Sequence, residues 1–227
     1  MRLLFVASDP MEYPGILAHT TDARPAKLPL DWARAGRLGD HEVLLVAHGA
    51  GALRAAIAVE TAAAEFHPDA IASTGFCGAL DPELKVADIV VGTEVDGFAL
   101  QPVASAAPHR AGRFCSLAHV AQTAAEKARL HASGGIAVEM EAAGITDRAE
   151  LLGLPVYCVR AVTDLAGEDM ANDFSKALRP DGHFDTMTIL SGALFRPWKR
   201  VPELIRLRQR CARAAHTLGD FIADCRF

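Results

Sequence analysis

Short runs of β-branched and other apolar residues alternate along this chain with longer, alanine-rich stretches. The short runs predict strands at 3–7, 42–47, 70–73, 89–91 and 156–162. The longer stretches predict helices at 50–66, 121–132, 139–152 and 202–224. Thr123, followed three residues later by Glu126, forms a capping-box pattern at the start of the second helix. Alternating strands and helices indicate an α/β fold in which helices cover both faces of a sheet.

The composition fits one large domain over residues 1–227, because neither an internal repeat nor a low-complexity linker divides the chain. Hydrophobic residues make up 51% and aromatic residues 6% of the chain, which is typical of an α/β core built from small residues. The formal net charge of −5 argues against a general nucleic-acid-binding protein.

The five cysteines are scattered without a Cys-x-x-Cys pair, and the nine histidines lack the spacing His-x-x-x-His. These patterns indicate reduced thiols and argue against a disulfide framework or a metal site. The apolar start MRLLFVA is too short for a secretory signal, and no stretch approaches ~20 consecutive apolar residues. We therefore expect a cytoplasmic protein without a membrane span.

Three polar or glycine-rich segments follow predicted strands, where ligands bind in α/β sheets. Glu12 follows the first strand in ASDPMEYPG, either as a site residue or as a solvated loop carboxylate. The segments HGAG at 48–51 and STGFCGAL at 73–80 allow close backbone approach to a ligand, yet neither is a Rossmann or Walker motif. Cys77 is interpreted as a buried small side chain rather than a nucleophile, since no partner base is evident.

Two further segments concentrate charge among apolar residues. Glu139 and Glu141 flank Met140 in AVEMEAAG, either as ordinary acidic residues of a first helical turn or as acceptors for vicinal ribose hydroxyls. Arg160 and Asp164 close a strand in VRAVTD, where they could form an internal ion pair or belong to a site.

Together these segments resemble the methylthioadenosine/S-adenosylhomocysteine nucleosidases and their phosphorylase relatives. The matching pieces are STGFCGALDPELKVADIVVGTEV, IAVEMEAAG and PVYCVRAVTDLAGED, and with the Glu12 loop the resemblance covers about residues 1–170. The resemblance implies a three-layer α/β/α sandwich with a central mixed sheet, a homodimer, and cleavage of a purine N-glycosidic bond without a metal or cofactor.

The resemblance also implies a role for each matching residue. Glu141 and Met140 would hold the ribose, supported by Glu139. Asp164 would be the general acid at purine N7. Glu12 would position or activate the attacking water, with Arg160 nearby.

Two features depart from the family pattern. Phe76 follows Gly75 where the nucleosidases usually carry a small hydroxyl residue, so we expect a remodelled water or anion site with Gly75 and Phe76 as substrate-binding positions. The base-stacking residue is not fixed by the pattern, and Phe114 and His119 are both candidates.

The C-terminal third, through LRPDGHFDTMTILSGALFRPWKRVPELIRLRQR, resembles the hopanoid-associated phosphorylase branch of the same superfamily. The segment TAAEKARLHASGGIAVEMEA at 123–142 resembles the same branch. This resemblance implies removal of adenine from an adenosylated lipid. The basic and apolar residues of 195–210 could form a peripheral membrane contact, or an amphipathic helix packed on the sheet with a solvated basic face.

Three functions follow as hypotheses. The first is hydrolysis of a 5′-substituted adenosine, favoured because Glu12 stands where hexameric phosphorylases carry the arginine of Gly-Asp-Pro-x-Arg. The second is phosphorolysis of adenosine or an adenosylated hopanoid, with Arg54, Arg110 and Arg113 as candidate anion contacts. The third is an inactive nucleoside-binding module.

Overall fold

The computed structural model describes all residues from 1 to 227. Ten strands form one sheet: β1 (Arg2–Ala7), β2 (Thr21–Pro25), β3 (Trp32–Leu38), β4 (His41–Ala47), β5 (Ala70–Ala79), β6 (Ile89–Val95), β7 (Phe98–Ala99), β8 (Arg110–Ser116), β9 (Gly135–Glu139) and β10 (Val156–Asp164). Seven α-helices connect or cover them: α1 (Pro14–Ala18), α2 (Ala52–Phe66), α3 (Ala124–Ala132), α4 (Ala142–Leu152), α5 (Phe174–Ala177), α6 (Thr186–Leu194) and α7 (Pro197–Asp224).

The sheet is mixed and partly closed on itself. Its strand order is β10-β6-β8-β9-β5-β1-β4-β3-β2, and β10 also pairs with β5, so that five strands form a closed circuit. Strands β4, β1, β5 and β10 lie side by side in this order and are parallel to one another. Their carboxyl ends therefore meet at one edge, which is where a ligand site is expected.

Helices cover both faces of the sheet, as the alternating pattern predicts. In β1, Leu4 and Val6 point into a core with α2 and α4, whereas Leu3 and Phe5 point into a second core with α1 and α7. This alternation is the two-residue period of a strand buried on both sides. The predicted three-layer α/β/α architecture is confirmed.

The predicted helix at 139–152 is wrong at its start. Residues 135–139 form β9, which pairs with β5 and β8, and the helix begins only at Ala142. Long-range pairing overrides the helix-compatible composition of this segment. The strand predicted at 70–73 likewise continues to Ala79, because the glycine-rich stretch pairs with β10 and is not a turn.

The residues at the starts of α3 and α7 explain where these two helices begin. The Thr123 side chain accepts a hydrogen bond from the amide of Glu126 and caps α3 as predicted. The final helix begins at Pro197, five residues before the predicted start, with proline at its first position. None of the helices is both long and apolar enough to cross a membrane.

Candidate active site

A cavity of about 410 Å³ opens at the carboxyl ends of β1, β5, β9 and β10. The inner wall comes from these strand ends and the outer wall from the C-terminal helices. Its lining includes Ser8, Asp9, Glu12, Ala50, Phe76, Cys77, Gly78, His119, Glu139, Met140, Glu141, Thr163, Asp164, Met170, Phe174, Phe184, Ile189, Leu204, Leu207, Arg208 and Cys211. The cavity is the size of a small-molecule site.

Glu12 lies at the bottom of this cavity and is not a solvated loop residue. A short 3-10 helix, Pro10–Glu12, is capped by the Asp9 side chain and turns the Glu12 carboxylate back over β1. Its Oε2 accepts hydrogen bonds from the amide and hydroxyl of Ser8 at 2.8 and 2.9 Å, and from the amide of Asp9 at 3.0 Å. Its Oε1 accepts one from the amide of Phe76 at 2.7 Å. Burial raises the pKa of Glu12 despite these donors.

Gly75 supports Glu12 from behind and does not line the cavity. Its φ of +131° lies in the region that favours glycine. A Cβ at this position would lie 2.3 Å from Oε1 of Glu12, so only glycine leaves room for the carboxylate. The predicted glycine is therefore part of the site through Glu12 rather than through contact with a ligand.

Arg160 is fully buried beneath the cavity and holds two carboxylates. Its guanidinium lies 2.6 Å from Oε2 of Glu139 and 3.0 Å from Oε2 of Glu141. It also donates hydrogen bonds to the Ser73 hydroxyl at 2.9 Å and to the Phe76 carbonyl at 3.1 Å. The alternative in which Arg160 pairs with Asp164 is wrong, because Arg160 is paired with the two glutamates instead.

The two glutamates are held differently. Oε2 of Glu139 accepts hydrogen bonds from the amides of Glu141 and Ala142 at the start of α4, while its Oε1 has no partner. Oε1 of Glu141 accepts a hydrogen bond from the Gly51 amide at 3.1 Å. Burial raises the pKa of Glu141 to about 7, although the Arg160 charge opposes the shift. The HGAG segment thus binds a protein carboxylate.

Asp164 is paired with a buried lysine that sequence reasoning missed. Nζ of Lys127, on α3, lies 2.5 Å from Oδ2 of Asp164 and donates to the Leu165 carbonyl at 2.9 Å. The Lys127 side chain is fully buried, and that of Asp164 is 15% exposed. The Thr163 hydroxyl contacts Oδ1 at 3.2 Å, and a Cβ on Gly78 would meet Oδ2 at 2.8 Å. In the sequence Lys127 looks like any solvated helix lysine, so no local signal identifies it.

The prediction of Phe114 as a base-stacking residue is wrong. Its ring is fully buried in the core under α2 and α4 and does not reach the cavity, because β8 is an internal strand. The other candidate, His119, lines the cavity, with Nε2 2.7 Å from Oε1 of Glu126. Phe76 and Met140 also line the cavity as predicted. The apolar residues that the C-terminal third contributes were not predicted.

The cavity lining is mostly apolar, and its charged side chains are mostly acidic. Its charged side chains are one arginine, Arg208, and five carboxylates: Asp9, Glu12, Glu139, Glu141 and Asp164. The candidate anion contacts Arg54, Arg110 and Arg113 lie elsewhere and pair with Asp31, Glu83 and Glu94. No cluster of His, Cys, Asp and Glu side chains has an arrangement that could hold a metal ion.

The chain is similar in sequence to named nucleosidases. A nucleosidase for 5′-methylthioadenosine and S-adenosylhomocysteine from Staphylococcus saprophyticus is 31% identical over 63% of this chain and 77% of its own length. The enzyme of the same name from Pseudoalteromonas translucida is 28% identical over 63% of this chain and 75% of its own length.

Solved structures share the fold. The Neisseria meningitidis nucleosidase, in complex with methylthio-immucillin-A, superimposes with a TM-score of 0.72 and 22% identity, over 98% of this chain and 97% of that one. A Helicobacter pylori futalosine hydrolase mutant gives a TM-score of 0.71 at 14% identity, over 98% and 96% of the two chains. The family model described as the phosphorylase superfamily matches residues 3–111 and 104–181. The chain therefore belongs to the phosphorylase superfamily.

Proposed function

We propose that this protein hydrolyses the N-glycosidic bond of a 5′-substituted adenosine of the methylthioadenosine or S-adenosylhomocysteine type and releases adenine. The observation that carries the proposal is the convergence of Glu12, Glu141 and Asp164 on one acidic cavity. Bond cleavage creates a cationic sugar and an electron-rich purine, and carboxylates around the sugar stabilise the positive charge. The named relatives support the same reaction.

Glu141 and Met140 are proposed to bind the ribose. Arg160 and the Gly51 amide fix the Glu141 carboxylate, so it is oriented before the substrate arrives. An ionised carboxylate accepts hydrogen bonds from two vicinal hydroxyls, and the Met140 thioether packs on the sugar face. Glu139 supports this end of the cavity through the first amides of α4.

Asp164 is proposed to take up a proton from solvent when the nucleoside binds and to pass it to purine N7 as the bond breaks. A positioned general acid contributes typically 10²–10⁴-fold to the rate. Lys127 holds Oδ2 of Asp164, which leaves Oδ1 as the oxygen that can turn toward the base. We assign Lys127 as a positioning residue, because it acts through Asp164 and does not line the cavity.

Glu12 is proposed to activate the attacking water. Its Oε2 is occupied by three donors, whereas Oε1 accepts only the Phe76 amide and keeps a lone pair for water. The raised pKa brings this carboxylate closer to neutral pH, which is where a general base is most effective. A carboxylate at this position also repels phosphate, which favours hydrolysis over phosphorolysis.

The direct test is adenine release from methylthioadenosine, S-adenosylhomocysteine and adenosine by wild type, Glu12→Gln and Asp164→Asn. We expect turnover by wild type and losses of roughly 10²-fold or more in both variants. If neither variant differs from wild type, the assigned roles are wrong. If nucleosides bind but none is cleaved, the chain is the inactive nucleoside-binding module.

A second candidate is phosphorolytic removal of adenine from adenosine or from an adenosylated hopanoid lipid. One observation favours a large apolar 5′ group: Phe184, Ile189, Leu204 and Leu207 form an apolar outer wall of the cavity. The acidic lining does not favour phosphate as the nucleophile. A sugar 1-phosphate product would establish this alternative, and a free sugar formed without phosphate would exclude it.

The assembly and location of the protein are proposals as well. Helices α2 and α4 pack together and leave Leu53, Ile57 and Leu151 exposed, which supports a homodimer through this side. Sedimentation equilibrium of wild type and Leu53→Gln tests it, with a monomeric variant as the expected result. All five cysteines are free thiols and four of them are buried, which supports a cytoplasmic location.

A further inference from the structure

We propose that the outer surface of α6 and of the first turns of α7 docks on an anionic lipid bilayer. This surface consists of an apolar stripe on each helix, joined by Phe195 at the bend between them, and of the cations beside it. The proposal concerns the outer surface of these helices, whose inner side lines the cavity, and it is tested separately from the proposed function.

The two stripes follow helical spacing on the solvent side. On α6, Met187, Leu190 and Leu194 are 71%, 51% and 77% exposed. On α7, Trp198 and Ile205 are 71% and 54% exposed, with Val201 between them. Spacings of three and four residues place each set on one helix face. Eight of the fourteen exposed large hydrophobic residues of the chain lie between 184 and 205, which marks an interaction surface.

These two helices differ from an ordinary amphipathic helix, whose solvent-exposed side is polar. The inner side of the same helices is apolar as well, since Ile189, Leu204 and Leu207 line the cavity. The second half of α7 does pack on the sheet, where Leu218 and Ile222 are buried. The first half therefore carries apolar residues on two sides, and only one of them is covered by the protein.

The charge of this segment selects the partner. The whole chain carries −5, yet residues 196–213 contain one acidic residue, Glu203, and seven basic ones: Arg196, Lys199, Arg200, Arg206, Arg208, Arg210 and Arg213. Glu203 is turned inward and accepts hydrogen bonds from Ala171 and Asn172. Arg196, Lys199 and Arg206 are exposed without an ion-pair partner, and each directly follows an exposed apolar residue.

A bilayer fits this arrangement better than a second copy of the chain does. A two-fold contact through this surface would bring its basic patch against a second copy of the same basic patch, since the same surface is used on both subunits. Exposed tryptophan and phenylalanine beside basic residues are instead typical of helices that lie in the interface of an anionic membrane. The uncovered stripes supply the apolar area, and each cation adds attraction to the anionic headgroups.

Vesicle co-sedimentation tests the electrostatic half of the proposal. Wild type is expected to bind vesicles of phosphatidylcholine and phosphatidylglycerol in equal parts, and to bind pure phosphatidylcholine vesicles far more weakly. The triple variant Arg196→Gln, Lys199→Gln, Arg206→Gln should lose on the order of 100-fold in partitioning. A control with the same loss of charge at the exposed positions Arg24, Lys27 and Arg37 should lose less than tenfold. Equal losses in both triple variants would overturn the proposal.

Fluorescence tests the apolar half. Trp32, the only other tryptophan, is stacked on Tyr13, so a blue shift on adding anionic vesicles should disappear in Trp198→Phe. Phe195→Gln with Trp198→Gln should abolish co-sedimentation while circular dichroism and thermal unfolding stay unchanged, because both side chains are exposed. Vesicle binding that survives this double variant would overturn the proposal. The proposal would also be overturned if, without lipid, the sedimentation coefficient of wild type rose with protein concentration and that of the double variant did not. The apolar stripes would then bind a second copy of the chain.

Discussion

The pairing of Lys127 with Asp164 makes a quantitative prediction about stability. Replacing Lys127 by methionine leaves Asp164 with the Thr163 hydroxyl and the cavity as its surroundings. Breaking a buried ion pair on one side costs about 3–5 kcal/mol. The Asp164 side chain is 15% exposed and can be partly solvated, so we expect a loss of about 3 kcal/mol of unfolding free energy.

The reverse replacement, Asp164→Asn, should cost more. Lys127 is fully buried, and its only other acceptor is the Leu165 carbonyl, so the ammonium loses its counter-charge without gaining water. We expect a loss near the upper end of the same range, about 4–5 kcal/mol. The double variant leaves no unpaired charge, and it should be less destabilised than the sum of the single variants by about 2–4 kcal/mol.

Urea unfolding of the four proteins at neutral pH measures this coupling. The matched control is the exposed pair of Arg110 and Glu83, whose cycle of Arg110→Met and Glu83→Gln should give less than about 1 kcal/mol. If the free-energy losses of the Lys127 and Asp164 variants add to within about 0.5 kcal/mol, the two side chains are not paired in solution. In the same variants, a role of Lys127 in positioning predicts that kcat falls in Lys127→Met while KM changes little.

Three further predictions concern the other carboxylates. Glu12→Gln should lower kcat by roughly 10²–10⁴-fold in steady-state adenine release and leave the fold intact by circular dichroism. Gly75→Ala should lower kcat by a similar factor, because the new Cβ would displace the Glu12 carboxylate. The control Gly39→Ala should retain activity, because Gly39 also has a positive φ, +56°, but no atom lies within 4 Å of the new Cβ. Comparable activity of the two alanine variants would contradict this prediction. Folding raises the pKa of Glu141 from 4.5 to about 7, so the folded protein holds a proton that the unfolded chain releases between these values. Wild type should therefore lose roughly 3 kcal/mol of unfolding free energy across this pH range relative to Glu141→Gln, and parallel pH profiles in urea unfolding would exclude the shift.

The parts of the fold that the sequence predicts are those with a strong local pattern. The strands at 3–7 and 42–47 are continuous apolar runs buried on both faces, and such runs are recognisable without tertiary information. The edge strand β2 was missed because it is exposed throughout, with the sequence TDARP, and has no apolar face. The boundary between β9 and α4 was missed because pairing with distant strands determines it.

The site residues also fall into those that a local pattern predicts and those that depend on distant contacts. Glu12, Glu141 and Asp164 follow strand or helix boundaries, so a local pattern and a family resemblance suffice to name them. Their partners come from distant segments. The register of β10 against β5, with Arg160 opposite Gly75, places the arginine under Glu139 and Glu141. Lys127 reaches Asp164 from α3, which packs against β9, and no spacing in the sequence indicates this contact.

The most direct test of the proposed reaction is adenine release from methylthioadenosine after exhaustive removal of phosphate, with the sugar product identified by mass spectrometry. We predict an unchanged rate and a free methylthioribose, because the charged side chains that line the cavity are five carboxylates and a single arginine, which leave no cluster of cations for phosphate. A reaction that stops without phosphate and yields methylthioribose 1-phosphate when phosphate is restored would contradict it.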